Sequence, residues 1–448
     1  MERPPRSQCD GRSLAFPLFP VTFPSSRSLS DRLFLVLVAL LPLHTVFIRV
    51  EIAWKPWLIL LAAIAILDLW QERGFPWPRR AGLGVLIFLA TVLVSWPGSA
   101  GGATFWRLFL ALMAGGVALL VTGRHANRIQ DVLTVVFWSG AAMAGTAVIL
   151  TMVTNGVFGA SAVEAINDIW LIDRVNKPAY LESGFIALTN WHQDPGYSAL
   201  WTNVWIALSL VGIGRGVIRV PRWVAPLVIG GLAVASLLTY ARTGWFGLGV
   251  AIVGSLFWLW RDGRPNLMRG LRTVALGALV SVALIGFHIA TDPSGVGGDI
   301  EDALVFRWTY LFTLGQIDVG QAGVIDPDLV VDDNRIEVWT EYADRFLDSP
   351  IRGIGLGTGW GESGLQEPHN LALELLAETG IIGALGFIVM IVSLGRGGGW
   401  TVGPALAVVA AAAVTQTILF EPVLWFTLGL WLADSTARER VRARAEVA

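Results

Sequence analysis

The chain has 448 residues, of which 54% are hydrophobic and only 15% charged, and its formal net charge is −2. A soluble globular protein usually carries about 25% charged residues. The composition therefore excludes a soluble enzyme, a disordered protein and a disulfide scaffold, and it predicts a polytopic membrane protein. The near-neutral charge provides no bulk attraction to nucleic acid. A single cysteine, Cys9, excludes an internal disulfide and a cysteine-based metal site.

Apolar runs of the length that crosses a bilayer recur along the chain. Helices are expected because backbone polar groups in lipid must be hydrogen-bonded within their own segment. We predict twelve spans, at about 31–49, 54–70, 81–96, 104–122, 131–153, 198–214, 221–241, 243–260, 273–290, 371–394, 401–419 and 421–434. Residues 1–30 are rich in Pro, Ser and Arg and are expected to form a disordered tail.

The distribution of basic residues predicts the orientation. With twelve spans both chain ends lie on one side, and 22 of the 32 basic residues then fall on that side. Because loops rich in Lys and Arg remain in the cytoplasm, both termini are predicted to be cytoplasmic. The domain organisation that follows is spans one to nine within 31–290, an extracytoplasmic loop at 291–370, spans ten to twelve within 371–434, and a basic cytoplasmic tail at 435–448.

The long outer loop contains one segment, Asp333 to Leu347, that is predicted to be a helix outside the membrane. Its apolar residues recur at helical spacing and share one face: Ile336, Trp339, Ala343, Phe346 and Leu347. The simplest interpretation is a helix that covers the bilayer surface or the outer face of the protein. This interpretation is compatible with a catalytic Arg335 at the start of the helix.

A glycine-rich stretch follows, with glycine at every second position from Gly353 to Gly361. Such a backbone bends tightly and approaches a ligand closely, so Gly355 and Gly357 are candidate substrate-binding residues. A flexible loop is the alternative interpretation. The stretch also matches GxGxxG, but dinucleotide binding is not expected because no parallel β unit surrounds it.

His369 is predicted to stand at the outer mouth of a membrane helix that begins near Leu371. Histidine can accept a hydroxyl proton near neutral pH, and a purely structural histidine is the alternative. Glu374 and Glu378 are four residues apart and share one face of this helix. Carboxylates at this depth are costly, and they are usually functional or paired.

Arg242 lies in a tight outer turn between two predicted spans, within Ala241-Arg242-Thr243-Gly244. The alternatives are an arginine that reaches towards the interface and a fixed anion binder, since a guanidinium matches phosphate with two hydrogen bonds. The predicted orientation places Arg242, Arg335 and His369 on the same outer face. Two arginines and a histidine suit a pyrophosphate leaving group and a hydroxyl that must lose its proton.

These residues resemble the O-antigen ligase and O-antigen polymerase family of integral membrane glycosyltransferases. The resemblance covers roughly 235–395. The matching features are an Arg in the Ala241–Trp245 turn, Arg335 followed by Trp339, a glycine-rich stretch after Pro350, and His369-Asn370 leading into Glu378 and Gly380.

The resemblance implies an all-α, GT-C-like membrane protein that transfers a glycan from undecaprenyl pyrophosphate to a sugar hydroxyl of a glycan or glycolipid acceptor. The site would face the outside of the plasma (inner) membrane and use neither a metal nor a cofactor. His369 would act as the general base, and arginines would hold the pyrophosphate: Arg242, Arg335 and Arg174. Asn370 and Glu378 would contribute to substrate binding.

Other functions remain open at this stage. Ligase and polymerase share the outline, although one long outer loop without Arg-x10-Gly patterns favours a ligase. Twelve spans and the carboxylates of Glu374, Glu378 and Glu421 would also suit a transporter, but paired inverted halves are not visible. A non-catalytic scaffold of a glycan assembly complex is the third possibility. Acidic pairs in the outer loop, Asp326 with Asp328 and Asp332 with Asp333, are interpreted as solvated rather than metal-binding.

Overall fold

The computed structural model describes residues 28–43, 48–49, 53–72, 77–98, 102–126, 128–154, 195–239, 241–291, 335–358, 367–395 and 401–447. Within these ranges the chain forms thirteen α-helices and one two-stranded pairing. The helices are α1 (Leu29–Leu40), α2 (Pro56–Glu72), α3 (Arg79–Leu93), α4 (Gly102–His125), α5 (Ile129–Thr154), α6 (Pro195–Gly214), α7 (Val224–Leu237), α8 (Arg242–Arg261), α9 (Arg264–Thr291), α10 (Arg335–Asp348), α11 (Leu371–Ser393), α12 (Gly403–Thr415) and α13 (Pro422–Val447).

Each of the twelve predicted spans contains one of these helices, so the all-α prediction is confirmed for the described part of the chain. In the described part of the chain, six helices are long and apolar enough to cross a membrane, namely α4, α5, α6, α8, α9 and α11. Helices α7 and α12 are apolar but shorter. The protein is thus a multi-pass membrane protein, whereas the number of spans and the orientation remain predictions.

The first predicted span, 31–49, is helical only in its first part. Helix α1 ends at Leu40, a 3-10 turn follows at Leu41–Leu43, and β1 (Ile48–Arg49) pairs antiparallel with β2 (Ala53–Trp54). Proline lacks the backbone N–H that an α-helix needs and clashes with the preceding turn, so Pro42 ends the helix. The prediction of a helix through residue 49 is therefore wrong.

Two helices extend beyond their predicted spans. Helix α9 begins at Arg264 rather than near residue 273, and α13 continues through the basic segment predicted as a tail at 435–448. The added turns of α13 are rich in Arg, Ala and Glu, and those of α9 contain Arg, Leu and Met, all of which are good helix formers. Hydropathy marks where apolar residues stop, and these helices continue into polar sequence.

Helix α6 forms the centre of the bundle. It is almost entirely buried and packs against α5, α7, α8, α9 and α12. The rings of Trp201 and Trp205 are centred 5.1 Å apart, and Trp205 lies 5.7 Å from Phe426 of α13. Helix α9, by contrast, exposes Leu279 and Val282, as expected for a helix that faces lipid. The turn that carries Arg242 begins α8, which packs closely against this buried helix.

A buried polar cluster joins α1, α2 and α4 at their ends. The Nδ1 of His125 lies 2.8 Å from a carboxylate oxygen of Asp31, and its Nε2 lies 2.8 Å from Asp68, which is fully buried. Arg124 contacts Asp68 at 3.4 Å and Glu72 at 2.7 Å. An imidazolium, with an N–H on each nitrogen, satisfies both aspartates at once. This cluster fixes the first two helices to α4.

Candidate functional site

The three residues predicted to be catalytic all lie at helix N-termini. Arg242 is the first residue of α8, Arg335 is the first residue of α10, and His369 precedes Asn370, which caps α11. A helix N-terminus presents backbone N–H groups without helical partners and the positive end of the helix dipole, so it favours anions. The side chains of Arg242 and Arg335, and the whole of Arg174, lie outside the described residues.

The turn that carries Arg242 is held by buried polar side chains. The carbonyl oxygen of Gly244 accepts hydrogen bonds from Asn203 Nδ2 at 2.9 Å and from Ser236 Oγ at 3.2 Å. A Cβ at Gly244 would lie 2.8 Å from Thr239 Oγ1 and 2.9 Å from the Ser236 carbonyl oxygen. Only glycine fits without displacing this backbone, which explains the glycine of the Arg-Thr-Gly pattern and makes the start of α8 rigid.

His369 has a backbone conformation that side chains rarely adopt. Its φ is 46°, the one positive φ of a non-glycine residue within the described ranges, and such strain is typical of functional sites. Neighbours fix it on both sides. Trp339 Nε1 donates to the Pro368 carbonyl oxygen at 2.7 Å. Asn370 Oδ1 accepts from the N–H groups of Ala372 at 3.0 Å and Leu373 at 3.1 Å.

Gln416, which no sequence motif marks, connects His369 to the Arg242 turn. Gln416 follows α12 in an extended conformation and is buried. His369 Nδ1 lies 3.1 Å from Gln416 Oε1, and Gln416 Nε2 donates to Thr243 Oγ1 at 3.5 Å. A lone polar residue after an apolar run is the only sequence signal for this role, and it is too common to be specific.

The glycine-rich stretch is docked onto a break in α11. Gly380 has a φ of 64° and a ψ of −170°, which interrupts the helix within a predicted span. Ile354 N–H donates to the Ala377 carbonyl at 2.9 Å, and Ile381 N–H donates to the Pro350 carbonyl at 2.9 Å. Non-helical backbone at membrane depth is tolerated where protein satisfies its polar groups. The part of the stretch that the structure describes is therefore a packed element rather than a flexible loop.

The glycines of this stretch are explained by the protein's own contacts. A Cβ at Gly353, where φ is 73°, would lie 2.3 Å from the Glu378 carbonyl oxygen. Gly355 N–H donates to that carbonyl at 2.9 Å, and Gly357 N–H donates to Glu378 Oε2 at 3.0 Å. These hydrogen bonds hold the glycine-rich stretch against α11 and do not involve a substrate. Substrate contacts of Gly355 and Gly357 therefore remain predictions.

Buried acidic and phenolic groups lie between α10 and α11. Glu374 and Glu378 are both fully buried, as expected for one shared face, and within the described residues neither oxygen of Glu374 has a hydrogen-bond partner. Tyr342 is also fully buried. Burial, together with the negative charge of Glu378, raises the pKa of the Tyr342 phenol.

The buried face of α10 differs in part from the prediction. A helix at 333–347 was expected and Arg335–Asp348 is found, so the element is confirmed. Tyr342, which was not assigned to the apolar face, is its most buried residue, and Leu347 is 69% exposed. The face that contacts α11 is therefore rotated away from Leu347. The side chain of Ile336 is not among the described ones.

No metal site is found in the part of the chain that the structure describes: it contains no group of three or more His, Cys, Asp or Glu side chains that could hold a metal ion. The acidic pairs noted in the outer loop, Asp326 with Asp328 and Asp332 with Asp333, lie outside the described residues. One described hydrogen bond of the His369 ring is with the amide oxygen of Gln416.

Comparison with known proteins bears on the family resemblance. No curated protein matches the chain. Residues 225–388 match the family model described as O-antigen ligase. The matched segment includes Arg242, Arg335 and His369, whereas Gln416 lies beyond it. The family resemblance inferred from these motifs is supported over residues 225–388, where this multi-pass membrane protein matches the O-antigen ligase family model.

Proposed function

We propose that this protein is a lipid-linked glycan ligase. It transfers a glycan from an undecaprenyl-pyrophosphate carrier to a sugar hydroxyl of a glycan or glycolipid acceptor at the outer leaflet of the plasma membrane. The family domain supports a membrane glycosyltransferase of the O-antigen ligase or polymerase type. The specific donor, the acceptor and the absence of a metal requirement are parts of this proposal.

One observation carries the proposal: hydrogen bonds connect the three helix N-termini that bear Arg335, His369 and Arg242. Trp339, one turn after Arg335, donates to Pro368, which precedes His369. His369 contacts Gln416, and Gln416 donates to Thr243, which follows Arg242. A proton acceptor thus lies close to helix ends that favour anions.

The reaction needs a base and an anion site together. The acceptor hydroxyl oxygen forms a bond to the anomeric carbon of the glycan, and the bond from that carbon to the pyrophosphate oxygen breaks. The hydroxyl proton passes to His369, and the electron pair of the broken bond leaves with undecaprenyl pyrophosphate. The guanidinium groups of Arg242 and Arg335, with that of Arg174, neutralise the charge of the leaving group. The proton then returns from His369 to solvent.

The remaining predicted residues support these groups in our proposal. Asn370 caps α11, and its Nδ2 donates to the Val414 carbonyl at 3.4 Å. Glu378 accepts from Gly357 and holds the glycine-rich stretch against α11. Asn370, Glu378, Gly355 and Gly357 thereby maintain the geometry around His369, and their direct contact with substrate stays a prediction.

The proposal is tested with purified protein in lipid nanodiscs, an undecaprenyl-pyrophosphate-linked glycan, candidate glycan acceptors and a chelator. The wild type should transfer glycan. Arg242→Ala and Arg335→Ala should slow transfer by about 100-fold, since each removes a charge that stabilises the leaving group. His369→Asn is the informative base variant, because asparagine tolerates a positive φ but accepts no proton.

Arg352→Ala is the matched control for the arginine variants. Arg352 is exposed and follows α10 in the same outer segment, so its loss should leave transfer unchanged. Transfer by His369→Asn at the wild-type rate would refute the assignment of the base. A product ladder of many repeats, rather than one addition, would indicate a polymerase. Solute uptake by proteoliposomes without glycan transfer would indicate a transporter.

A further inference from the structure

We propose that Gln416 is a positioning residue for glycan transfer: it holds His369 in the tautomer with the proton on Nδ1, so that Nε2 is the atom that accepts the hydroxyl proton. The inference rests on the proposed function for its catalytic consequence. Its structural content, the tautomer of His369, can be measured separately.

The direction of a hydrogen-bond chain determines how the Gln416 amide is oriented. Thr415 Oγ1 donates to the Ala412 carbonyl at 3.4 Å, and a carbonyl only accepts. With its proton committed there, Thr415 accepts from Thr243 Oγ1, which lies 3.0 Å away. Thr243 therefore accepts from Gln416 Nε2, which lies 3.5 Å away. The amide nitrogen points to Thr243, and the amide oxygen is left for His369.

The tautomer follows from this orientation. Gln416 Oε1 is an acceptor only, so the ring nitrogen 3.1 Å from it, His369 Nδ1, carries a proton. In a neutral imidazole the other nitrogen is then the basic one. When Nε2 takes up the hydroxyl proton, the amide dipole also stabilises the imidazolium. Gln416 thus sets which atom of His369 acts as the base.

Burial and connectivity make this arrangement specific to position 416. Gln416 is 5% exposed, so water does not readily replace its contacts. The next residue is also fixed, because Tyr197 Oη donates to the Thr417 carbonyl oxygen at 2.8 Å. One short segment after α12 therefore holds the amide between His369 and the start of α8.

Ionisable groups occur on each segment packed around the amide. Among the described segments they include Arg242 on α8, Tyr197 on α6, Glu367 before His369, Glu374 on α11 and Glu421 before α13. None of these groups is altered by a substitution at position 416. A change in the pH dependence of transfer on substitution of Gln416 therefore reports on the contact between positions 416 and 369.

The first experiment compares pH–rate profiles of nanodisc-embedded variants. Gln416→Leu keeps the side-chain volume and removes the acceptor, and kcat should fall about 30-fold while KM for the donor stays within about twofold. Gln416→Glu still accepts from Nδ1–H, so transfer should persist. Its carboxylate favours the imidazolium, which should move the acidic limb of the profile about one pH unit higher. A residue with a merely structural role would not move this limb.

A double variant tests whether Gln416 acts through His369. Adding Gln416→Leu to His369→Asn should slow transfer by less than about twofold further, because the group that Gln416 positions is already absent. A further 30-fold loss would contradict the proposal. Wild-type kcat together with an unshifted pH profile in both Gln416→Leu and Gln416→Glu would also overturn it.

The second experiment needs no catalysis. The chain has 5 histidines, so 15N-histidine spectra of the intact protein can be assigned with His369→Asn. The wild type should show an Nδ1–H signal for His369, and Gln416→Leu should convert it largely to Nε2–H. An Nε2–H signal in the wild type overturns the role of Gln416, whatever the transfer assay gives. If the wild type transfers no glycan but shows Nδ1–H, the proposed function fails and the tautomer assignment stands.

Discussion

Trp339 Nε1 lies 2.7 Å from the carbonyl oxygen of Pro368, and this hydrogen bond joins two segments 29 residues apart in sequence. Trp339 follows the start of α10 by one turn, and Pro368 immediately precedes His369. The bond therefore couples the helix that begins with Arg335 to the residue proposed as the base. Apolar packing alone would not fix the spacing between Trp339 and Pro368, because it has no preferred direction. A hydrogen bond is directional.

Trp339→Phe should reduce glycan transfer more than it reduces stability. Phenylalanine keeps the ring but cannot donate, so the part-buried Pro368 carbonyl loses its partner. The free energy of unfolding should fall by about 1 kcal/mol, and transfer by about tenfold through misplacement of His369. Initial rates and thermal melts in the same detergent measure both. Trp70→Phe is the control, since Trp70 is 76% exposed, and equal behaviour of the two variants would contradict this coupling.

Gly353→Ala should prevent the glycine-rich stretch from docking onto α11. Its φ of 73° is costly for alanine, and the new Cβ would lie 2.3 Å from the Glu378 carbonyl oxygen and 2.5 Å from the backbone nitrogen of Thr379. Both contacts are with backbone, which cannot move aside cheaply. We expect a loss of about 3 kcal/mol or more, visible as a lower melting temperature and easier proteolysis.

Gly286→Ala provides the matched control for this substitution. A Cβ at Gly286, in helix α9, meets nothing within 4 Å, so alanine should leave the protein unchanged or stabilise it by about 0.5–1 kcal/mol. If Gly353→Ala had the same melting temperature as Gly286→Ala, the glycine-rich stretch would be mobile rather than docked onto α11.

The carboxylate of Glu378 should be more important as an acceptor than as a charge. Glu378→Gln can still accept from Gly357 N–H through its amide oxygen, and Glu378→Leu leaves that buried donor unsatisfied, at a cost of about 1–3 kcal/mol. Only the leucine variant should therefore melt markedly lower. The KM for the donor distinguishes a Glu378 that only holds the glycine-rich stretch from one that binds substrate. A large rise in this KM for a stably folded Glu378→Gln variant would indicate direct contact with the glycan.

The helical content was predictable from sequence because it depends on a local rule. Backbone groups in lipid must be satisfied within a segment, so apolar runs mark helices, and all twelve runs contain one. The rule does not say where a helix ends within polar sequence. The length of α13 was therefore underestimated. It also does not detect a break such as Gly380, whose backbone is satisfied by a partner segment rather than by its own helix.

The candidate site was predictable only in part, for a related reason. Arg242, Arg335 and His369 are distinctive residue types at positions that the predicted topology places on one face. Gln416 and Tyr342 are ordinary residues whose role depends on partners 47 residues away or on a neighbouring helix. Such tertiary contacts leave no local pattern, so the structure was needed to identify them.

The cluster around His125 should contribute to stability and not to transfer. His125→Phe preserves ring packing against Phe34, whose ring centre lies 5.6 Å away, but it leaves buried Asp68 and half-exposed Asp31 without the bridging imidazole. Removing one member of a buried charged group typically costs about 3–5 kcal/mol. We expect a much lower melting temperature and, below it, an unchanged kcat. Arg128→Ala, at an exposed position nearby, should change neither, and a kcat defect in His125→Phe would link this cluster to the site.

Tyr342→Phe should make the protein more resistant to alkali. The Tyr342 side chain is fully buried, and within the described residues its hydroxyl oxygen has no hydrogen-bond partner. Removing the hydroxyl at pH 7 should therefore leave the free energy of unfolding unchanged or raise it by about 1 kcal/mol. Because the pKa of Tyr342 is raised in the folded state, the folded protein holds this proton more tightly than the unfolded chain does. The protonated phenol contributes its full stabilisation of the folded state below the ordinary tyrosine pKa of about 10. This contribution is lost as the pH rises towards the pKa of Tyr342 in the folded protein.

The wild type should therefore lose stability between about pH 10 and pH 11 relative to Tyr342→Phe, and thermal unfolding at pH 7 and pH 11 measures the difference. Tyr197→Phe is the control, because it removes a hydrogen bond to the Thr417 carbonyl and should lower the melting temperature already at pH 7. If Tyr342→Phe instead abolished glycan transfer at neutral pH while melting like the wild type, the buried hydroxyl would contact substrate, and α10 would contribute a binding group beside Arg335.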